Sequence, residues 1–199
     1  TYIDGDGGDA TITCTVTDDK GNSFSDSCQL TVKRGTKVES VSLPDKLIEL
    51  KLGESYKFVP KVLPENASQK TVQWRTSECP DFDTAYKDAD YTILKIDQNG
   101  NVTLKNPGVV TVYCKTDNGG FVATARIAVS SDTETNKFGV LTAGSKQPSA
   151  SNALYLLRAV VNNKELTERQ QLLADINGDG KLMATDALRI LRCAVNGHF

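Results

Sequence analysis

The chain has 199 residues, with 23 Lys and Arg against 25 Asp and Glu, a net charge of −2 and a pI near 5.5. That balance excludes the strongly basic surface that nucleic acid or an acidic membrane requires, and no apolar run approaches the roughly 18 residues of a membrane span. Five scattered cysteines without a CxxC, and a single histidine at His198, exclude zinc-site and histidine-triad chemistry.

The length suits two small domains, or one and a half plus a tail. The only methionine is Met183. The chain therefore reads as a piece of something larger, and a missing targeting sequence says nothing about location.

From the N-terminus, Ala10-Thr-Ile-Thr-Cys-Thr-Val-Thr17 alternates apolar and polar residues, the period of a strand with one buried face. Asp18-Asp-Lys-Gly-Asn-Ser is turn chemistry, and Cys28-Gln-Leu-Thr-Val-Lys33 alternates again, so the two predict a hairpin. Matching the apolar faces sets Ile12 opposite Leu30 and Cys14 opposite Cys28. The two cysteines then form either a cross-strand disulfide or two buried thiols behaving as small hydrophobes; the second is preferred. Asp4-Gly-Asp-Gly-Gly8 aligns through the repeat described next with an ordinary turn and is set aside as a cation site.

The same unit recurs one hundred residues on. Val110-Thr-Val-Tyr-Cys-Lys-Thr116, an Asp-Asn-Gly-Gly turn and Ala123-Thr-Ala-Arg-Ile-Ala-Val129 repeat it, with Cys114 matching Cys14 and facing Ala125. Six further strands precede this second hairpin, at 38–43, 47–51, 56–63, 71–76, 91–96 and 101–105. Residues 1–35 thus read as the closing strands of a partial domain, and 36–130 as one complete β-sandwich with Trp74 in its core. Val72-Gln-Trp-Arg-Thr-Ser77, Ile96-Asp-Gln-Asn-Gly-Asn-Val-Thr-Leu104 and Pro107-Gly-Val-Val-Thr-Val-Tyr113 resemble a bacterial immunoglobulin-like (Ig-like) domain of group 2. The departure is the longer connection over 78–90, where Phe82 and Tyr86 stand among Asp81, Asp83, Asp88 and Asp90. Its aromatics either stack on sugar or fold onto the edge of the sandwich.

Residues 131–138 are polar and aperiodic, a short linker. After them the period becomes helical: Ala153, Leu154, Leu157, Val160 and Val161 form one apolar stripe, and Ala187, Leu188, Leu191, Ala194 and Val195 another. Thr167-Glu-Arg-Gln170 is a capping box that opens a short helix between them.

That helix leads into Asp175-Ile-Asn-Gly-Asp-Gly-Lys-Leu-Met-Ala-Thr-Asp186. Oxygen-bearing side chains fall at positions 1, 3, 5 and 12 of a twelve-residue loop with glycine at 6, the spacing by which a loop wraps Ca²⁺. The residues at 152–162 and 186–196 are copies, identical at six of eleven positions. Extending the copy backwards puts Leu141, Ala143, Ser145 and Asn152 where the second loop has Asp175, Asn177, Asp179 and Asp186, so the first loop has lost its carboxylates.

A duplicated loop–helix unit of this length resembles a dockerin over residues 139–199. The overall expectation is a multidomain chain: an all-β Ig-like sandwich plus a small all-α, EF-hand-like dockerin. The resemblance implies one calcium ion held by the side chains of Asp175, Asn177, Asp179 and Asp186 and the carbonyl of Lys181, with Met183 in place of a water-holding residue. It implies a cohesin partner on a scaffold protein and no catalysis. The recognition positions are Ala184, Thr185, Leu191 and Arg192, with Ala150, Ser151, Leu157 and Arg158 as their first-half counterparts. The leucines at 157 and 191 serve equally well as intramolecular core. Such a protein works outside the cell or on a bacterial surface, and any polysaccharide contact belongs to its parent. The alternative is a surface adhesin or carbohydrate-binding module acting through the Ig-like domain.

Overall fold

The computed structural model describes residues 7–32, 34–82 and 91–199. The first elements are β1 (Gly8–Thr17) and β2 (Ser23–Val32), which among the described residues pair only with each other. Asp18 closes the turn: its carboxylate accepts the amides of Lys20 and Asn22, at 2.9 and 2.8 Å. This five-residue loop draws β2 back, so Cys14 lies opposite Asp26 and Ile12 opposite Cys28. The register therefore differs by two residues from the expected pairing. A shift of two keeps every side chain on its expected face. Ile12, Val16, Phe24 and Leu30 are all exposed, and so are the free thiols of Cys14 and Cys28. The expectation of buried thiols does not hold, because no second layer covers this ribbon among the described residues.

The sandwich follows, with β3 (Ser40–Ser42), β4 (Leu47–Lys51), β5 (Tyr56–Lys57), β6 (Lys61–Leu63), β7 (Val72–Thr76), β8 (Leu94–Ile96), β9 (Asn101–Leu104), β10 (Gly108–Thr116) and β11 (Val122–Ser130). The run expected at 56–63 is split in two around Pro60, which has no N–H to give a ladder. One sheet runs β4-β11-β10-β7 and another β5-β9-β8, with β3-β6 as a separate pair. β10 and β11 form the repeated hairpin, and β4 joins β11 in parallel. Here too the register is two residues from expectation, Cys114 facing Ala123 rather than Ala125.

The core fills as alternation predicts. Trp74 is buried against Phe58, ring centroids 5.2 Å apart, among Leu94, Ile96, Val110, Val112, Cys114 and Ile127. Gly100 ends the 97–101 turn with φ 80°, and a Cβ there would sit 2.7 Å from the Phe58 carbonyl oxygen. Both the backbone angle and the space require glycine.

Three helices complete the chain: α1 (Ala150–Val161), α2 (Glu168–Ala174) and α3 (Ala184–Asn196). Ser149 caps α1, and the expected capping box opens α2, with Gln170 N donating to Thr167 Oγ1 and Thr167 N to Gln170 Oε1. The buried faces of α1 and α3 share Ala153 and Ala187 with the expected stripes but are otherwise turned away from them. They are Asn152, Ala153, Leu156 and Ala159 on α1, and Asp186, Ala187, Ile190 and Cys193 on α3. The small Ala153, Ala159, Ala187 and Cys193 share these faces with Leu156 and Ile190, and the larger Leu154, Leu157, Val161, Leu188, Leu191 and Val195 are exposed.

The helices and the sandwich share a core. Val109 and Ala128, on the outer face of the β10–β11 hairpin, cluster with Phe138, Leu141, Leu156, Leu173 and Ile190. The segment read as a linker is packed at its end. Asn136 is buried and donates to the Val129 carbonyl at 2.8 Å, and Arg169 Nε donates to Asn136 Oδ1 at 2.6 Å.

Candidate cation loop and docking face

The loop at 175–186 connects α2 to α3. Asp175 ends α2, and its two carboxylate oxygens accept the amides of Gly178 (2.8 Å) and Gly180 (3.0 Å). Gly178 and Gly180 both have φ 76°, which turns their amides back toward Asp175. Asp179 accepts the amide of Lys181 and the side-chain amide of Asn177, and these bonds hold its pKa below the ordinary carboxylate value. Asp186, the last position, is fully buried in the first turn of α3; Oδ1 takes the Ile176 amide at 3.0 Å and Oδ2 the Met183 amide at 3.0 Å.

The donor set is three carboxylates and one carboxamide, all hard oxygens, carried by a loop whose two ends meet. This chemistry fits Ca²⁺. The loop is closed on its own amides, and among the described residues no three Asp, Glu, His or Cys side chains converge as a metal cluster. Asp175 and Asp179 would supply carboxylate ligands, Asn177 its amide oxygen, Lys181 its carbonyl and Asp186 the final carboxylate.

The first copy repeats the closure without charge. Asn152 is as fully buried as Asp186, and its Oδ1 accepts the amides of Leu141 and Thr142 at 2.9 and 3.0 Å. The Thr142 hydroxyl donates to the same oxygen, and the Asn152 amide group donates to Ser149 Oγ.

One residue in this site has no sequence signal of its own. Arg126 projects from the outer face of β11, is only 8% exposed, and lays its guanidinium 5.5 Å from the Phe138 ring centroid. Nη1 donates to the Leu172 carbonyl at 2.7 Å and lies 3.8 Å from Asp175 Oδ2. Burial pulls the guanidinium pKa below its ordinary value, and Asp175 and Asp186 oppose that shift. The available clue was the run Ile127-Ala-Val129, which breaks strict alternation and marks a strand covered on both faces. A cleft of ≈ 550 Å³ lies here between sandwich and loop, lined by Lys46, Tyr113, Arg126, Asp175 and Asn177.

The expected recognition positions are all on the surface: Ala150, Ser151, Leu157 and Arg158 on α1, and Ala184, Thr185, Leu191 and Arg192 on α3. Leu157 is 38% exposed and Leu191 40%, so neither is core. In the 78–90 connection, the Phe82 ring lies between two cations, with Arg75 Cζ 5.5 Å and Lys115 Nζ 5.2 Å from its centroid. Asp83, Tyr86, Asp88 and Asp90 lie outside the described residues, as does the Asp4-Gly-Asp segment. No helix among the described residues is long and apolar enough to cross a membrane.

No family model matches the chain, and no curated protein matches it. Among solved structures, it is similar to the surface layer protein SbsC, domains 1–6, at TM-score 0.36 and 11% identity over 65% of this chain and 21% of that one. The insect immune protein hemolin matches at TM-score 0.28 and 20% identity, over 62% of this chain and 29% of that one. Drosophila N-cadherin EC1-3 matches at TM-score 0.31 and 13% identity, over 54% and 41%. The chain spans well under half the length of each, and likeness of this extent says nothing about what it binds.

Proposed function

We propose that residues 139–199 are a dockerin-type plug. It takes one calcium ion in the 175–186 loop and binds a cohesin module, anchoring a secreted bacterial protein in a cellulosome-like complex. The observation that carries this reading is the pairing of Leu157-Arg158 with Leu191-Arg192, exposed at equivalent positions of two packed helices. An aliphatic side chain beside an arginine suits a mixed apolar and hydrogen-bonded interface, and arginine at both copies has no packing role inside the module. Calcium is structural here: it fixes the start of α3 and with it Thr185 and Arg192. The Ig-like sandwich serves as a brace, because it shares a core with the helices.

The two halves are not equivalent as docking faces, since only the second launches from a loop with carboxylates. One docking orientation therefore dominates. The test is a pull-down against a cohesin panel, with and without calcium, using the intact chain and a Thr185→Ala/Arg192→Ala variant. Calcium-dependent capture that the double substitution abolishes is the expected result, and capture untouched by the substitutions refutes this docking face. The rival adhesin reading has less support, because Phe82 is engaged by Arg75 and Lys115. Glycan binding by residues 36–130 alone, without cohesin binding by 139–199, would establish it.

A further inference from the structure

We infer that the Arg126 guanidinium is a built-in counter-cation for the acidic loop, supplied by the sandwich to hold Asp175 in place whether or not calcium is bound. Three observations converge on it. The guanidinium is almost wholly buried, yet it comes from a strand of a different layer and ends beside Asp175 Oδ2. Arg126 Nη2 also lies 3.7 Å from where a Gly178 Cβ would stand, inside the loop's own turn. Nη1 fixes the Leu172 carbonyl, one turn of α2 before Asp175, so one side chain grips both the helix end and the first loop carboxylate.

The chemistry requires something of this kind. Asp175 and Asp186 stand at the two ends of the loop, Asp175 largely buried and Asp186 fully so, and both act on the Arg126 guanidinium. Carboxylates brought together without a cation repel one another, and a partly buried setting screens them poorly. Lys181 is exposed and lies near Asp179, on the solvent side. Arg126 is the cation on the protein side. It lies beside Oδ2, the oxygen that also takes the Gly180 amide, while Oδ1 takes the Gly178 amide. The first loop needs no such device because Asn152 is neutral, and the residue at the place of Asp175 there is Leu141.

The inference shares its site with the calcium reading and rests on it only for one arm of the test. Amide hydrogen exchange at Ile176, Gly178 and Gly180 reads loop order directly, with Trp74 emission confirming that the sandwich is folded. In chelator the unaltered chain keeps these amides protected, and calcium slows their exchange further. Arg126→Met keeps an apolar stem over Phe138 but removes the charge, and accelerates exchange at least about tenfold in chelator. Arg126→Lys, which restores a charge, recovers part of the protection, and calcium restores it in the methionine variant. Rescue by lysine without rescue by calcium supports the counter-cation and counts against the calcium reading. The inference is overturned if the unaltered loop is unprotected in chelator, or if the methionine variant is as protected as the original. The first of these needs no variant and so is independent of any folding defect.

Discussion

Asn152 and Asp186 hold the same place in two copies of one unit: each is fully buried in the first turn of its helix, and each accepts through Oδ1 the backbone amides at the start of its loop. The carboxamide does by hydrogen bonding alone what the carboxylate does beside a cation. Loop closure thus needs no carboxylate in this fold, and substitutions at these positions separate it from the proposed cation binding.

Asp186→Asn converts the second loop to the chemistry of the first. The helical module stays folded at a cost of about 1–3 kcal/mol, because the new side chain has one acceptor oxygen for the Ile176 amide and turns a donor NH2 toward the Met183 amide. Calcium affinity drops at least about tenfold with the loss of a charged ligand. Asn152→Ala does the reverse: it leaves two loop amides without a partner and destabilises by about 1–3 kcal/mol, with calcium affinity per folded molecule unchanged. Denaturant melts and calcium titration of both variants check this; an unfolded Asp186→Asn chain is the contrary result.

Phe138 is buried where the sandwich meets the helices. Phe138→Ala costs about 3–5 kcal/mol, and both layers feel it. Trp74 emission and helical circular dichroism should therefore lose stability together. Removing residues 1–130 should lower the melting temperature of the helical module, since it uncovers the face that meets Val109 and Ala128. Unchanged melting after that removal would reduce the sandwich to a spacer.

Among the described residues the β1–β2 ribbon pairs with no other strand. Deleting residues 1–34 changes the denaturant midpoint of the rest by less than about 0.5 kcal/mol and improves solubility by removing the apolar face around Phe24. A larger loss of stability would show that the ribbon packs on the body.

Thiol reactivity follows burial. Cys114 is fully buried, which pushes its pKa up to about 12, and burial also raises that of Cys193. In the native chain without reductant, an alkylating reagent at pH 8 should modify Cys14 and Cys28 and spare Cys114 and Cys193 until the chain unfolds. Protection of Cys14 and Cys28 that reductant relieves would reveal a disulfide between them.

The alternation of residues made the strands and Trp74 legible in the sequence, and the 175–186 loop was legible through its oxygen spacing. Register was not, because the turns at Asp18 and Asp117 set it and either loop length fits the same alternation. The helix faces were misjudged for a physical reason. The buried faces of α1 and α3 carry Ala153, Ala159, Ala187 and Cys193 beside Leu156 and Ile190, so bulk hydrophobicity alone pointed to the exposed leucines instead. Only the three-dimensional path of α2 shows what covers Arg126 on β11.

The most direct measurement is a calorimetric titration of the intact chain with a cohesin module, in millimolar calcium and again in chelator. Saturable one-to-one binding with calcium, and at least about a hundredfold weaker binding without it, is the expected result. Equal affinity in both conditions, or no binding by any cohesin tested, would contradict it.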